Sequence, residues 1–158
     1  MWWRLQHAEW VKQKGSKNRA ALKRIVERSE TPGLLAYAGK RPVGWCALAP
    51  REVYPRLDRS RILERVDEKP VWSVVCFFVA REFRRRGVTL KLLEAGVDYA
   101  RKHGATIVEG YPVEPKSGRM ADVFAYTGLV SAFRKAGFVE VERRSKSRPI
   151  MRRDLTTH

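Results

Sequence analysis

The chain of 158 residues carries a formal net charge of +16, from 33 Lys+Arg against 17 Asp+Glu, with 44% hydrophobic and 32% charged residues. This balance excludes a disordered polyelectrolyte and suits one domain, residues 1–158, with enough chain to bury a core. The cationic excess favours a polyanionic partner, whether nucleic acid, an anionic membrane surface or a phosphorylated small molecule, and does not choose among them.

The start, "MWWRLQHAEW", lacks the apolar centre of a signal peptide. Trp2, Trp3 and Trp10 suit packing, with lining of an aromatic acceptor pocket as the alternative. Residues 18–30 follow a helical period, with Ala21, Ile25 and Val26 on one side, and Thr31, Pro32 and Gly33 stop it. A hairpin follows, with strands near residues 34–38 and 42–48 and a turn at Gly39 and Lys40. Residues 51–69 are charged and irregular, with one helical turn near 53–57.

Residues 71–80, "VWSVVCFFVA", are apolar on both alternating faces, which predicts a central strand covered on both sides. Its β-branched and aromatic content favours strand over a short buried helix. A second amphipathic helix is predicted over residues 88–103, with Leu90, Leu93, Val97 and Ala100 inward and Gly104 closing it. A strand near residues 106–111, a helix over 121–137 weakened at Gly128, and a hairpin of strands 138–143 and 149–153 complete the chain. Strand–helix–strand order with crossover-length connections favours neighbouring parallel strands, whereas the hairpins add antiparallel pairs. The expected fold is α/β, a mixed sheet with helices on both faces.

No apolar run approaches the roughly 20 residues that span a bilayer. Cys46 and Cys76 lie in apolar runs, lack metal-type spacing, and are expected as buried free thiols in a reducing compartment. A cytoplasmic protein without metal is therefore expected. His7, His103 and His158 are far apart in sequence, and His103 suits a cation at a helix C-terminus.

The segment "REFRRRGVTLKLL" crowds Arg81, Arg84, Arg85 and Arg86 at a predicted helix start, where the backbone dipole is already positive. Free N–H groups, this dipole and the arginines would all attract a phosphate. Gly87 would let the backbone adopt φ > 0 and approach a ligand closely. Neither a GxxxxGK[ST] loop nor a GxGxxG fingerprint is present.

"FFVAREFRRRGVTLKLL" resembles the acetyl-CoA-binding motif of the GNAT superfamily of N-acetyltransferases, a strand followed by a [QR]xxGx[GA] loop that opens a helix. Arg84 takes the first position and Gly87 the glycine; Thr89 replaces the usual glycine or alanine. "GFVEVERR" is similar to the "GF" element opening a late strand of that fold, and "EGYPV" resembles a strand in other members. The resemblance implies an acyl-CoA N-acyltransferase fold that moves acetyl from acetyl-CoA to an amine by direct attack on the thioester. It implies that backbone groups of Phe78 and Val79 bond the acetyl and pantetheine part. The diphosphate would rest on Arg84, Arg85, Arg86, Gly87, Val88 and Thr89. Homodimers are common in the family.

Removal of the amine proton suits a carboxylate, and Glu109 near the end of the second parallel strand is the first candidate. The family's usual acid, a tyrosine five residues before the "GF" phenylalanine, falls on Phe133 here, so Tyr126 or Tyr111 would have to substitute. An acid is dispensable if the thiol, of pKa roughly 8.5, leaves as thiolate. Two alternatives stay open. One is a nucleic-acid-binding module, resting on net charge, the terminal "RRSKSRPIMRR" and stacking aromatics. The other is a GNAT-like fold that binds CoA without catalysis.

Overall fold

The computed structural model describes residues 1–115 and 126–156. Helices α1 (His7–Lys12) and α2 (Ser16–Glu27) precede the hairpin of β1 (Gly33–Ala38) and β2 (Arg41–Pro50). A 3-10 turn (Arg51–Val53) and the short α3 (Pro55–Asp58) lead to β3 (Trp72–Val79). A second 3-10 turn (Arg81–Phe83) leads into α4 (Val88–Lys102), followed by β4 (Ile107–Gly110), α5 (Val130–Lys135), β5 (Val139–Arg143) and β6 (Pro149–Asp154).

The six strands form one mixed sheet in the order β1-β2-β3-β4-β6-β5. Among the described strands only β3 and β4 pair in parallel, as the crossover through α4 requires; the other neighbours are antiparallel. Leu48, Val74, Phe77, Leu93, Val97 and Phe133 share one buried cluster beneath α4 and α5. On the opposite face Tyr54, Leu57, Val75, Tyr111 and Ile150 pack together, with Trp3 of the N-terminal segment against them. Both faces of β3 are thus covered, the environment its two apolar faces predict.

α4 lies close on β2. A Cβ at Gly44 would come within 2.9 Å of Val88 Cγ1, so glycine there sets how near the helix start approaches the sheet.

Two predicted helices are corrected. α2 ends at Glu27, short of residue 30, and buries no residue. Its apolar positions contribute little to the core: Val26 is 56% exposed, while Leu22 reaches the cavity beside β2 and β3. The late helix was expected over residues 121–137, of which 121–125 lie outside the described residues. From Tyr126 to Leu129 the backbone is not helical, since its carbonyls serve other segments. Tyr126 O accepts from Phe77 N–H at 2.6 Å and Gly128 O from Val113 N–H at 2.9 Å. α5 begins only after this lacing.

Candidate functional site

β3 and β4 part company. Their ladder runs through three partner pairs and stops at Val74 and Gly110, while β3 continues five residues to Val79. The Tyr126 carbonyl fills the first position beyond the fork by taking the Phe77 N–H. On the other edge, Ala80 N–H donates to Val43 O. Successive residues of a strand alternate edges, so the Phe78 backbone faces β2, where it partners Trp45, and the Val79 N–H faces the fork. Of the two residues expected to present main-chain groups there, alternation turns Val79 toward the fork and Phe78 toward β2. The Phe78 side chain is 59% exposed.

Val79 O is itself occupied. It accepts from Arg84 Nε at 3.1 Å, which ties the basic loop to the end of β3. After Arg84 the backbone turns left-handed at Arg85, with φ 61°, and again at Gly87, with φ 75° and ψ 8°. The arginine is costly there, by about 1–2 kcal/mol, whereas the glycine is not. Backbone strain of this kind collects at ligand sites.

Gly87 is the N-cap of α4, and no side chain caps it. The first intrahelical bond is Lys91 N–H to Gly87 O, and the first turn holds no acidic residue. The N–H groups of Val88, Thr89 and Leu90 therefore face the helix mouth. A Cβ on Gly87 would meet nothing within 4 Å, so the space in front is open. Arg85 and Arg86 are exposed, and Arg86 sits over the Phe83 ring, 5.5 Å from its centroid. Arg41 pairs with Glu82 and also stacks on Phe83. The arginines, Gly87, Val88 and Thr89 are thus brought together at the open end of the fork.

Glu109 is elsewhere. It is 1% exposed, and both carboxylate oxygens are committed. Oε1 accepts from Arg51 at 2.9 Å and from Tyr111 Oη at 2.6 Å; Oε2 accepts from Arg152 Nε at 2.7 Å. Arg51 also donates to Asp58 at 2.8 Å and to Leu63 O, and Arg152 to Asp67 at 2.7 Å. A carboxylate held between two guanidiniums and a phenol has no face left for an incoming amine. The expected base role of Glu109 does not fit this placement; the residue is the hub of a buried ion network. Tyr111 belongs to the same network, bonded also to Ser73 at 2.8 Å, and burial raises its pKa well above the ordinary phenol value. It too is withdrawn as an acid.

Phe133, at the family's usual tyrosine position, is fully buried edge-on to Phe77 and Phe138, with ring centroids 6.2 Å and 5.0 Å away. Tyr126 lies at the other side of the fork. It lines a cavity of about 190 Å³ on the face opposite α4, together with Trp2, Trp3, Trp45, Tyr54 and Cys76. A bulge makes room for this cavity: Ala47 pairs with Cys76 and Leu48 with Val74, which leaves Val75 as the extra residue. Val75 and Cys76 consequently face the same side.

The N-terminal aromatics divide accordingly. Trp2 and Trp3 line the cavity, while Trp10 packs edge-on against Trp2 at 4.7 Å. Nothing in the sequence alone brings Trp3 to Tyr126. Cys46 is buried, and burial pushes its thiol up to about 12, whereas Cys76 is only half-buried, a correction to the expected full burial. His103 caps α4 stacked on Tyr99 at 4.0 Å, and His158 lies outside the described residues. Among the described residues no group of three or more His, Cys, Asp or Glu is arranged to hold a metal ion. No described helix is long and apolar enough to cross a membrane.

The C-terminal basic run is not an open cationic strip. Arg143 pairs with Glu140 and Glu114, and Arg144 donates to Glu64 O and Arg65 O. Arg148 reaches Thr127 Oγ1, Arg152 is the buried partner of Glu109, and Arg153 donates to Ala136 O. These side chains stitch the final hairpin to the body, so the feature that favoured nucleic acid is largely spent on internal bonds.

Comparison with known proteins agrees with the fold. Solved structures of the same fold include the PaiA N-acetyltransferase of Thermoplasma acidophilum in complex with coenzyme A, 17% identical, with TM-score 0.55 over 93% of this chain and 76% of that one. Salmonella typhimurium yncA, solved with its cofactor acetyl-CoA, is 15% identical, with TM-score 0.58 over 91% of this chain and 76% of that one. The ribosomal-protein-alanine N-acetyltransferase of Brucella melitensis is 18% identical, with TM-score 0.55 over 88% and 78%. No curated protein matches at the level of sequence. The model of the acetyltransferase (GNAT) family matches residues 1–120, three-quarters of the chain, and with it the forked sheet and basic helix mouth have a common account: this chain belongs to the GNAT family of acetyltransferases.

Proposed function

We propose that the protein is an acetyl-CoA-dependent N-acetyltransferase in which the amine attacks the thioester directly. The observation that carries this reading is the fork itself: a stretch of β3 that has left β4 and ends beside the glycine-opened start of α4, which no side chain caps. Acetyl-CoA would supply an activated acyl group there. The N–H groups at the start of α4 and the side chains of Arg84, Arg85 and Arg86 would hold the diphosphate by charge-assisted hydrogen bonds. The Val79 N–H, facing the fork, supplies a donor for the pantetheine chain or for the developing oxyanion.

Glu109 takes no part in proton transfer. Tyr126 is the remaining titratable candidate at the fork, and its role would be to relay the proton between the attacking amine and water or the leaving thiolate. A thiol of pKa roughly 8.5 leaves without obligatory protonation, so loss of Tyr126 should slow the reaction and not abolish it.

Isothermal titration with acetyl-CoA tests the reading. Saturable binding is expected, and weaker binding for Arg85→Glu combined with Arg86→Glu; well-folded protein that fails to bind millimolar acetyl-CoA would overturn it. Thiol release from acetyl-CoA in the presence of an amine then separates catalysis from binding alone.

A further inference from the structure

The cations of this chain are unevenly spent. Those of the last hairpin bond to the body of the protein, and Arg51 and Arg152 are held in the Glu109 network. Residues 11–28 differ: they carry seven Lys+Arg, all exposed, against one carboxylate, Glu27. Lys23 takes that carboxylate at 3.5 Å. Among the described residues no carboxylate forms an ion pair with Lys17, Arg24 or Arg28. These three lie seven and four residues apart, within about 20° of one line that runs about 16 Å along α2, of which Arg28 is the closing residue. Arg24 and Arg28, four apart, repel one another along the helix. α2 buries no residue, so this charge is not a by-product of packing. Nor does it serve the diphosphate at the α4 mouth, because Leu22 of α2 reaches the cavity on the face of the sheet opposite α4.

The larger apolar side chains that α1 and α2 expose are Val11 and Val26, at 44% and 56%. Two valines do not make the apolar centre of a protein interface, from which charged residues are depleted. Nor do they make the row of Trp, Phe and Leu with which an amphipathic helix enters a bilayer. The nearby tryptophans are engaged: Trp2 and Trp10 pack edge to face at 4.7 Å, and each carries a cation, Arg56 at 3.5 Å on Trp2 and Lys14 at 4.8 Å on Trp10. A line of unpaired cations without an apolar centre matches a partner of continuous, evenly spaced negative charge. We propose that the exposed face of α2 binds the sugar–phosphate backbone of a nucleic acid without reading its bases. Lys17, Arg24 and Arg28 contact the phosphates and release the counterions condensed on them. This site is independent of the acetyltransferase reading and lies across the sheet from the CoA site.

The test is fluorescence anisotropy of a labelled oligouridylate, about 20 nucleotides long, titrated with the full chain at about 50 and 200 mM salt. Saturable binding that weakens with salt is expected. Lys17→Glu, Arg24→Glu and Arg28→Glu combined should lose at least about tenfold in affinity at the lower salt, and the log–log salt slope should become shallower by about 2. Arg101→Glu, Lys102→Glu and Lys135→Glu combined make the same change in net charge on α4 and α5, where all three side chains are exposed, and should lose less than about threefold. Thermal unfolding checks that both variants are folded; if the glutamates unfold α2, the same three positions changed to Gln repeat the measurement. Equal losses in the two charge-matched variants, or no saturation by about 100 μM protein at the lower salt, overturn the inference. Binding of polyglutamate or of phosphatidylserine vesicles as tight as that of the oligonucleotide also overturns it, and assigns the face to an acidic protein or to a membrane. CoA should bind the α2 variant as it binds the wild type. Failure of the wild type to bind CoA overturns the acetyltransferase reading alone, so the two failures are distinct.

Discussion

Glu109→Gln discriminates between a proton acceptor and a structural anchor. In the folded protein the carboxylate accepts from Arg51, Arg152 and Tyr111 at 2.6–2.9 Å while 1% exposed. An amide keeps one acceptor oxygen but points an NH₂ group at a guanidinium, and it removes the only charge between two arginines. Breaking a buried ion pair by removing one partner costs about 3–5 kcal/mol. Arg51 keeps Asp58 and Arg152 keeps Asp67, which places the cost near the lower end, at about 3 kcal/mol. With a urea slope of roughly 2 kcal/mol/M, the unfolding midpoint should fall by about 1.5 M. Urea titration by circular dichroism reads this shift, and thiol release at a temperature where the variant is folded reads turnover. The expected pattern is a large midpoint shift with kcat unchanged within error. An unchanged midpoint with turnover reduced by about 100-fold or more would refute the reasoning and restore Glu109 as the base.

Three further outcomes follow from the same geometry. Gly87→Val should lower stability by about 1–2 kcal/mol and weaken CoA binding, because a β-branched residue resists φ 75°; Gly87→Asn, more tolerant of that conformation, should lose less in both calorimetry and thermal melts. The Cys46 thiol, raised by burial to about 12, should resist a thiol reagent at pH 8 until the protein unfolds, which timed labelling in urea measures; Cys76, half-buried, should react first. Asp67 is held below the usual carboxylate range by its hydrogen bonds from Arg152. Its contribution is therefore complete above the unfolded value of about 3.9 and is lost as pH falls through the lower folded value. The stability gap between wild type and Asp67→Asn, measured by urea unfolding, should be constant above about pH 5 and shrink below about pH 4.

Much of the basic helix mouth and its flanking elements was legible locally. The turn after Gly39, the doubly apolar β3 and the amphipathic α4 are each written in consecutive residues, and the structure places them within one or two positions of expectation. The arginines and Gly87 were legible for the same reason: a helix mouth is assembled from neighbours in sequence. Which edge the Phe78 and Val79 backbones face was not legible, because strand alternation must be phased by a partner, and the phase is set by Ala80 bonding to Val43.

The buried ion network and the aromatic cavity were not legible, and the reason is distance along the chain. A carboxylate in a strand near a fork is equally compatible with catalysis and with burial until its partners are known. The partners of Glu109 come from residues 51 and 152, on opposite sides of it in sequence and more than forty positions away from it in each direction. The cavity likewise gathers Trp3, Tyr54, Cys76 and Tyr126 from four separate segments around a bulge that no local pattern announces. Sequence alone determined the elements whose period and punctuation lie within a dozen residues, together with the basic loop they frame. Only the tertiary structure decided which polar groups the protein itself satisfies, because hydrogen-bond satisfaction is a property of the neighbours that folding supplies.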